Sequence, residues 1–192
     1  MDRDPGYYSP EGFRDVLRGV WFSPRRFFGN LDPGGSLLRP VFFAAAVVYL
    51  VLAIEAVLRA VWVREIGYSL LYGLLAGLAV ALFLGLLLVG AFTALVLVVL
   101  DGAPSRAKFG TLFRPLGYVA GVLIVLPIPY GPFLVLAYGP YVATVAVKET
   151  LGLSWKRAAS ATLIPLAATL LILLALLGPA DAYNLLVNPP QN

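Results

Sequence analysis

Polar positions dominate the first forty residues of the chain; beyond them, long apolar runs alternate with short basic loops. The runs cover residues 41–63, 68–100, 112–126, 133–147 and 158–177. At about 1.5 Å per helical residue the first reaches roughly 34 Å, enough to cross a hydrocarbon core of about 30 Å. The second is longer than one crossing needs, so it must tilt, kink or project. The third and fourth reach only about 22 Å each as helices. They are joined by Pro127-Ile128-Pro129-Tyr130-Gly131-Pro132, which cannot be helical throughout. This short hairpin either borrows flanking residues to cross or re-enters on the side it came from. Pro115 is expected early in its helix, where the missing N–H costs little, and Pro165 is expected to kink the last run. The pattern predicts an all-α, polytopic integral membrane protein. Residues 1–40 form a cytoplasmic N-terminal segment, 41–178 a membrane domain of five transmembrane helices, and 179–192 a short extracytoplasmic tail.

The polar segment has its own helical pattern. Ser9, Pro10 and Glu11 are N-terminal signals. Phe13, Val16, Leu17, Val20 and Trp21 then fall on one helical face, with Arg14 and Arg18 flanking it. Two settings fit such an amphipathic helix. It lies in the headgroup layer, held by apolar burial and anionic lipid, or it packs on the cytoplasmic surface of its own protein. Ser23-Pro24 ends it and starts a second short helix through Arg25-Arg26-Phe27-Phe28, with Ser23 in a capping position. Residues 32–36 read as a turn. No apolar run follows the first charges, so the segment does not read as a signal peptide.

Three groups of residues inside the runs are candidates for more than packing. Glu55 and Arg59 are one helical turn apart within the first span, and ionisable residues there are functional candidates by default. Their place near the end of the span favours the plainer reading, in which Arg59 snorkels to the interface and Glu55 accompanies it. Gly73, Gly77, Ala81 and Gly85 recur every four residues, a smooth stripe that lets another helix approach. A helix of the same chain is the expected partner and a second copy the alternative. Around the hairpin, Arg114, Gly117, Tyr118, Pro127, Pro129, Tyr138 and Tyr141 could line a polar groove. Interfacial tyrosines and inter-helix hydrogen bonds, Thr144 included, are the favoured alternative.

Composition narrows the chemistry. Apolar residues make up 60% and charged residues 12%, against about 25% charged in soluble domains. There is no Cys and no His, which removes thiolate chemistry, the commonest metal ligand and the commonest general base. No hydrolase, metalloprotease, phosphate-loop or dinucleotide fingerprint is present. The chain reads as a non-enzyme, with no cofactor or metal. The net charge of +4 fits basic cytoplasmic loops better than nucleic-acid binding. Basic residues cluster before the first span and in the loops near 106–114 and 148–157. That distribution sets the N-terminus in the cytoplasm and the C-terminus outside.

The residues also resemble a known family. The Pro24 to Phe28 element, the run Phe109…Phe113-Arg114…Gly117-Tyr118, the proline–glycine tip and Gly152-Leu153-Ser154…Arg157-Ala158 are similar to the Ypt/Rab-interacting (Yip) family of multi-pass membrane proteins in its prokaryotic form. The similarity runs from about Trp21 onward. Three departures stand out. Val119 to Val122 lacks the Pro that often follows Gly-Tyr. Leu151 stands where many members have His. The acidic Tyr-Gly-Pro element of eukaryotic members is missing. The resemblance implies a five-span, non-enzymatic protein; eukaryotic relatives engage Rab-type GTPases in vesicle traffic. The expected role is a cell-membrane scaffold or adaptor that organises lipid or protein partners, possible copies of itself included. The alternative is a small transporter or lipid-handling protein using the hairpin groove.

Overall fold

The computed structural model describes residues 10–32, 34–63, 68–102 and 106–177. These residues form α1 (Pro10–Phe22), α2 (Pro24–Gly29), α3 (Leu38–Val63), α4 (Tyr68–Asp101), α5 (Arg106–Val119), a 3-10 segment (Ala120–Val125), α6 (Gly131–Leu151) and α7 (Trp155–Leu177). No strand occurs among the described residues. Three stretches are long and apolar enough to cross a membrane: Leu38–Leu58, Leu74–Asp101 and Lys108–Val125.

The third of these is an interior helix. Half of Lys108–Val125 is buried within the protein, against 28% and 24% of the other two. Two apolar clusters enclose it. Leu112 and Leu116 pack with Val96 and Leu97 of α4, Ala143 and Val147 of α6, and Ala158 and Ala161 of α7. Tyr118 and Val122 pack with Phe43 and Val47 of α3, Val142 and Val145 of α6, and Val16, Val20 and Phe28 of α1 and α2. A hydroxyl contact of 2.7 Å between Thr144 and Thr162 ties α6 to α7 in this interior. With few apolar contacts to gain over lipid, such a bond is among the forces that hold membrane helices together.

The hairpin turn follows from its prolines. Pro127, Pro129 and Pro132 lack the N–H groups that would reach the carbonyls of Leu123, Val125 and Ile128 in α-helical register. In each case the residue just before the proline takes that carbonyl instead. Leu126 donates to Leu123 at 2.9 Å, Ile128 to Val125 at 3.0 Å and Gly131 to Ile128 at 2.7 Å. The α-helix therefore tightens into 3-10 geometry from Ala120 and turns over at Tyr130, which adopts φ 65°. At the other end α5 begins at Arg106, where Lys108 meets Asp101 of α4 at 2.9 Å. Its start is earlier than the apolar run suggests, so Pro115 lies in the helix interior and not in its first turn. Pro140 is likewise interior to α6, and Pro165 is interior to α7, as the pattern of the last run requires.

Gly77 and Gly85 of the small-residue stripe of α4 face α3 of the same chain. Ala81 is buried, Gly77 lies against Leu52, and a methyl on Gly85 would touch the backbone of Ala45 at 3.5 Å. The surroundings of Gly73 lie outside the described residues, as does the side chain of Arg59. Glu55 is half-buried on α3. A closer approach to α3 is made by α5. A methyl on Gly117 of α5 would come within 2.6 Å of Pro40 Cβ and 3.3 Å of its carbonyl. Nothing lies within 4 Å of such a methyl at Gly90. Overpacking typically costs about 1–3 kcal/mol. Gly117→Ala should therefore lower the melting temperature in detergent, whereas Gly90→Ala should leave it level or raise it, since Ala is the better helix former. Equal melting of the two variants would contradict the close α3–α5 crossing.

Candidate interaction site at the docked N-terminal helices

The face of α1 predicted from its spacing is turned into the protein. Val16 and Val20 are fully buried, and Phe13, Leu17 and Trp21 pack against the same cluster. Of the two settings open to that face, the chain's own interior occupies it, so these five side chains are not spread on lipid. The opposite face carries Glu11, Arg14, Asp15 and Arg18, all exposed.

Trp21 is the key of the joint. Its ring stacks on Tyr138 of α6 with centroids 5.0 Å apart. Its indole N–H donates to the Gly121 carbonyl at 3.1 Å, and the Tyr138 hydroxyl donates to the Trp21 carbonyl at 2.6 Å. Both bonds join segments a hundred or more residues apart. Gly121 is needed because a methyl there would press on Phe43 and Leu17 at 3.2–3.3 Å. Phe13 closes the other end of α1 against Phe43, at 5.2 Å between rings.

α2 continues the docking. Ser23 makes no side-chain cap; Pro24 at the helix start supplies the fixed φ instead. Phe27 meets Tyr118 edge-on at 5.6 Å and Phe28 at 5.1 Å. Gly19 of α1 makes room for Phe27, whose ring a methyl would meet at 2.6 Å. Two of the elements that carried the family resemblance, Pro24 to Phe28 and Phe113 to Tyr118, thus meet at Tyr118.

These contacts decide what becomes of the suggested groove. Arg114, Gly117 and Tyr118 are enclosed in the interior, Gly117 against Pro40 of α3 and Tyr118 against Phe27 of α2 and Phe43 of α3. Pro127 and Pro129 are at the tip, Tyr138 is under Trp21, and Tyr141 is on the surface. The seven residues do not line one open cleft. Thr144 makes the inter-helix hydrogen bond to Thr162.

Beside the α6–α7 turn lies a basic and aromatic cluster in which Arg25, Tyr141, Trp155, Lys156 and Arg157 are exposed and Lys148 is half-buried. Trp155 stacks loosely on Tyr141, with ring centroids 6.2 Å apart. The Arg25 guanidinium lies 5.4 Å from the Trp155 ring and the Lys148 ammonium 5.8 Å from it. Glu149 accepts from Lys148 at 2.7 Å, while Lys156 and Arg157 follow Trp155 on the exposed start of α7. Three elements converge here, with a surplus of positive charge. Sequence reading missed Trp155, Gly19, Gly121 and Phe43. Gly19 was the available signal, as a glycine within an otherwise regular helical face.

The fold and this site define a polytopic α-helical membrane protein whose N-terminal helices are docked on its membrane domain. The chain belongs to the Yip1 domain family: the model of that domain matches residues 18–177. The match begins inside α1 and ends with α7, so it takes in the docked helices as well as the membrane helices. Searches of curated proteins and of solved structures give no match.

The joint makes a graded prediction. Tyr138→Phe removes one hydrogen bond and should cost about 1 kcal/mol. Trp21→Ala removes the stack, the volume and the donor, and should cost about 3–5 kcal/mol. Limited proteolysis in detergent should release a fragment near residue 30 readily from Trp21→Ala and hardly from Tyr138→Phe. Equal resistance in both would contradict the docking.

Proposed function

We propose that the protein is a non-enzymatic membrane scaffold or adaptor that presents its cytoplasmic face to anionic lipid and to protein partners. The observation that carries this reading is the convergence of Arg25 and Lys148 on the Trp155 ring, beside Lys156 and Arg157. Cations on a tryptophan at a membrane boundary suit phosphate headgroups, because the indole favours the interface and the charges meet the lipid phosphate. The chemistry-bearing residues of the hairpin are engaged in packing, which supports a scaffold over a transporter. The topology we adopt has five helical membrane segments in the cell membrane, with the N-terminus cytoplasmic and the C-terminus outside, from the Lys and Arg distribution. α1 then lies at the cytoplasmic boundary as an amphipathic helix whose apolar face is held by its own protein.

The test is lipid retention. The chain should be purified in native-lipid discs, and its bound lipid quantified by mass spectrometry. Arg25→Ala combined with Lys148→Ala should lose several-fold of the anionic lipid retained by wild type, with an unchanged melting temperature. The loss should shrink as ionic strength rises. Unchanged anionic lipid in the double variant, or solute flux through proteoliposomes of the wild type, would overturn the reading.

A further inference from the structure

The α5–α6 tip has three features that an aqueous loop does not need. No charged residue occurs between Arg114 and Lys148. Ile128, Tyr130, Phe133, Leu134 and Leu136 project outward, each about half exposed or more. The backbone of the tip also disposes of its own donors. Of the nine residues from 126 to 134, three are prolines without an N–H, and Leu126, Ile128, Gly131, Phe133 and Leu134 donate to carbonyls between Leu123 and Tyr130, which accounts for every position but Tyr130. In water, turn donors can be left to solvent. In hydrocarbon each unsatisfied donor costs several kcal/mol, so a turn that removes or satisfies them is suited to lipid.

The docking of α1 measures how far this tip can reach. Trp21 is fixed to Gly121 and Tyr138. Gly131 starts α6 seven residues before Tyr138, so the tip rises about 10 Å above α1 at α-helical rise. The outer face of α1, with Glu11, Arg14, Asp15 and Arg18, cannot be immersed in hydrocarbon at low cost. α3 is different. Phe43 touches Phe13 of α1, and the helix continues to Val63, about 30 Å further. From the same plane, then, α3 has the length to cross a hydrocarbon core of about 30 Å, and the hairpin has the length for less than one leaflet. The apolar length of α5 that suggests a crossing is consumed in the interior, against α4, α6 and α7.

We infer that the α5–α6 hairpin is a re-entrant element that enters from the side of α1 and turns back within the same leaflet, its proline tip solvated by acyl chains. This rests on the cytoplasmic placement of α1 proposed above, which makes the occupied leaflet the cytoplasmic one. The hairpin then adds two helices, each about 10 Å across, to one leaflet and none to the other. It displaces cytoplasmic-leaflet lipid selectively, so the ligand of this scaffold's membrane part is the acyl region of that leaflet.

The chain has no cysteine, so single cysteines report cleanly. Tyr130→Cys and Ile128→Cys would be placed separately in the tip, and Ser36→Cys and Ser154→Cys at the feet. An environment-sensitive fluorophore at position 130 or 128, in proteoliposomes, should be quenched more by a nitroxide high on the lipid acyl chain than by one at the chain end. In intact cells, a membrane-impermeant thiol reagent should label none of the four positions. Labelling at 130 or 128 with 36 and 154 protected would overturn re-entry and leave the topology intact. Labelling at 36 would overturn the topology itself. A tip fluorophore that no lipid nitroxide quenches would put the tip in water and also overturn the inference.

Discussion

The insertion of Trp21 between Gly121 and Tyr138 is the constraint from which the rest of the arrangement follows. It joins the first helix to the turn region of the hairpin by a stacked ring and two hydrogen bonds, 3.1 and 2.6 Å long. Trp21 is half-buried, and an aromatic of this size packed against a core is among the costliest side chains to remove. Once Trp21 is seated, α1 cannot lie away from the helical core. Gly19 then brings Phe27 onto Tyr118, and α2 carries Arg25 to the Trp155 ring. The exposed basic cluster is therefore a consequence of the internal docking, since its parts come from α2, the end of α6 and the start of α7.

The same joint gives the hairpin its scale. Prolines 127, 129 and 132 each force the preceding N–H onto a carbonyl three residues back, and so close the turn soon after Gly121. The turn removes or satisfies all of its backbone donors from 126 to 134 but that of Tyr130, and its apolar side chains project outward. Gly117 and Gly121 permit the close contacts with Pro40 and Phe43 that draw α3 onto the hairpin. Larger residues at either position would open the space into which α1 packs.

Much of this was legible in the sequence. The helical content, the first two long apolar helices and the proline turn follow from runs of apolar residues and from the chemistry of Pro. The five apolar positions of α1 were legible as a face, because 3.6-residue periodicity is local. Their partner was not, because burial against lipid and burial against protein demand the same residues. The hairpin positions leave the groove and packing readings both open in the sequence for a related reason. Arg114 and Tyr118 look like groove residues when only polarity is counted, yet both are buried, Tyr118 by side chains of α1, α2 and α3 that lie far from it in sequence. Pro115 was set too early in its helix because apolar content marks where a helix is buried in lipid, and α5 starts on a polar foot paired with Asp101. Trp155 escaped notice because its role depends on Arg25, which lies far away in sequence and is brought to it by docking.

The central claim is that α1 is part of the folded protein and does not float on the membrane surface. Amide hydrogen exchange in lipid discs measures this directly, since protection reports local opening free energy. The account predicts that amides around Val16, Val20 and Trp21 are protected to the degree of those in the buried stretch from Val142 to Val147. It also predicts that their protection is unchanged when anionic lipid is replaced by zwitterionic lipid at high salt. Fast exchange across α1, or protection that disappears with the anionic lipid, would contradict it.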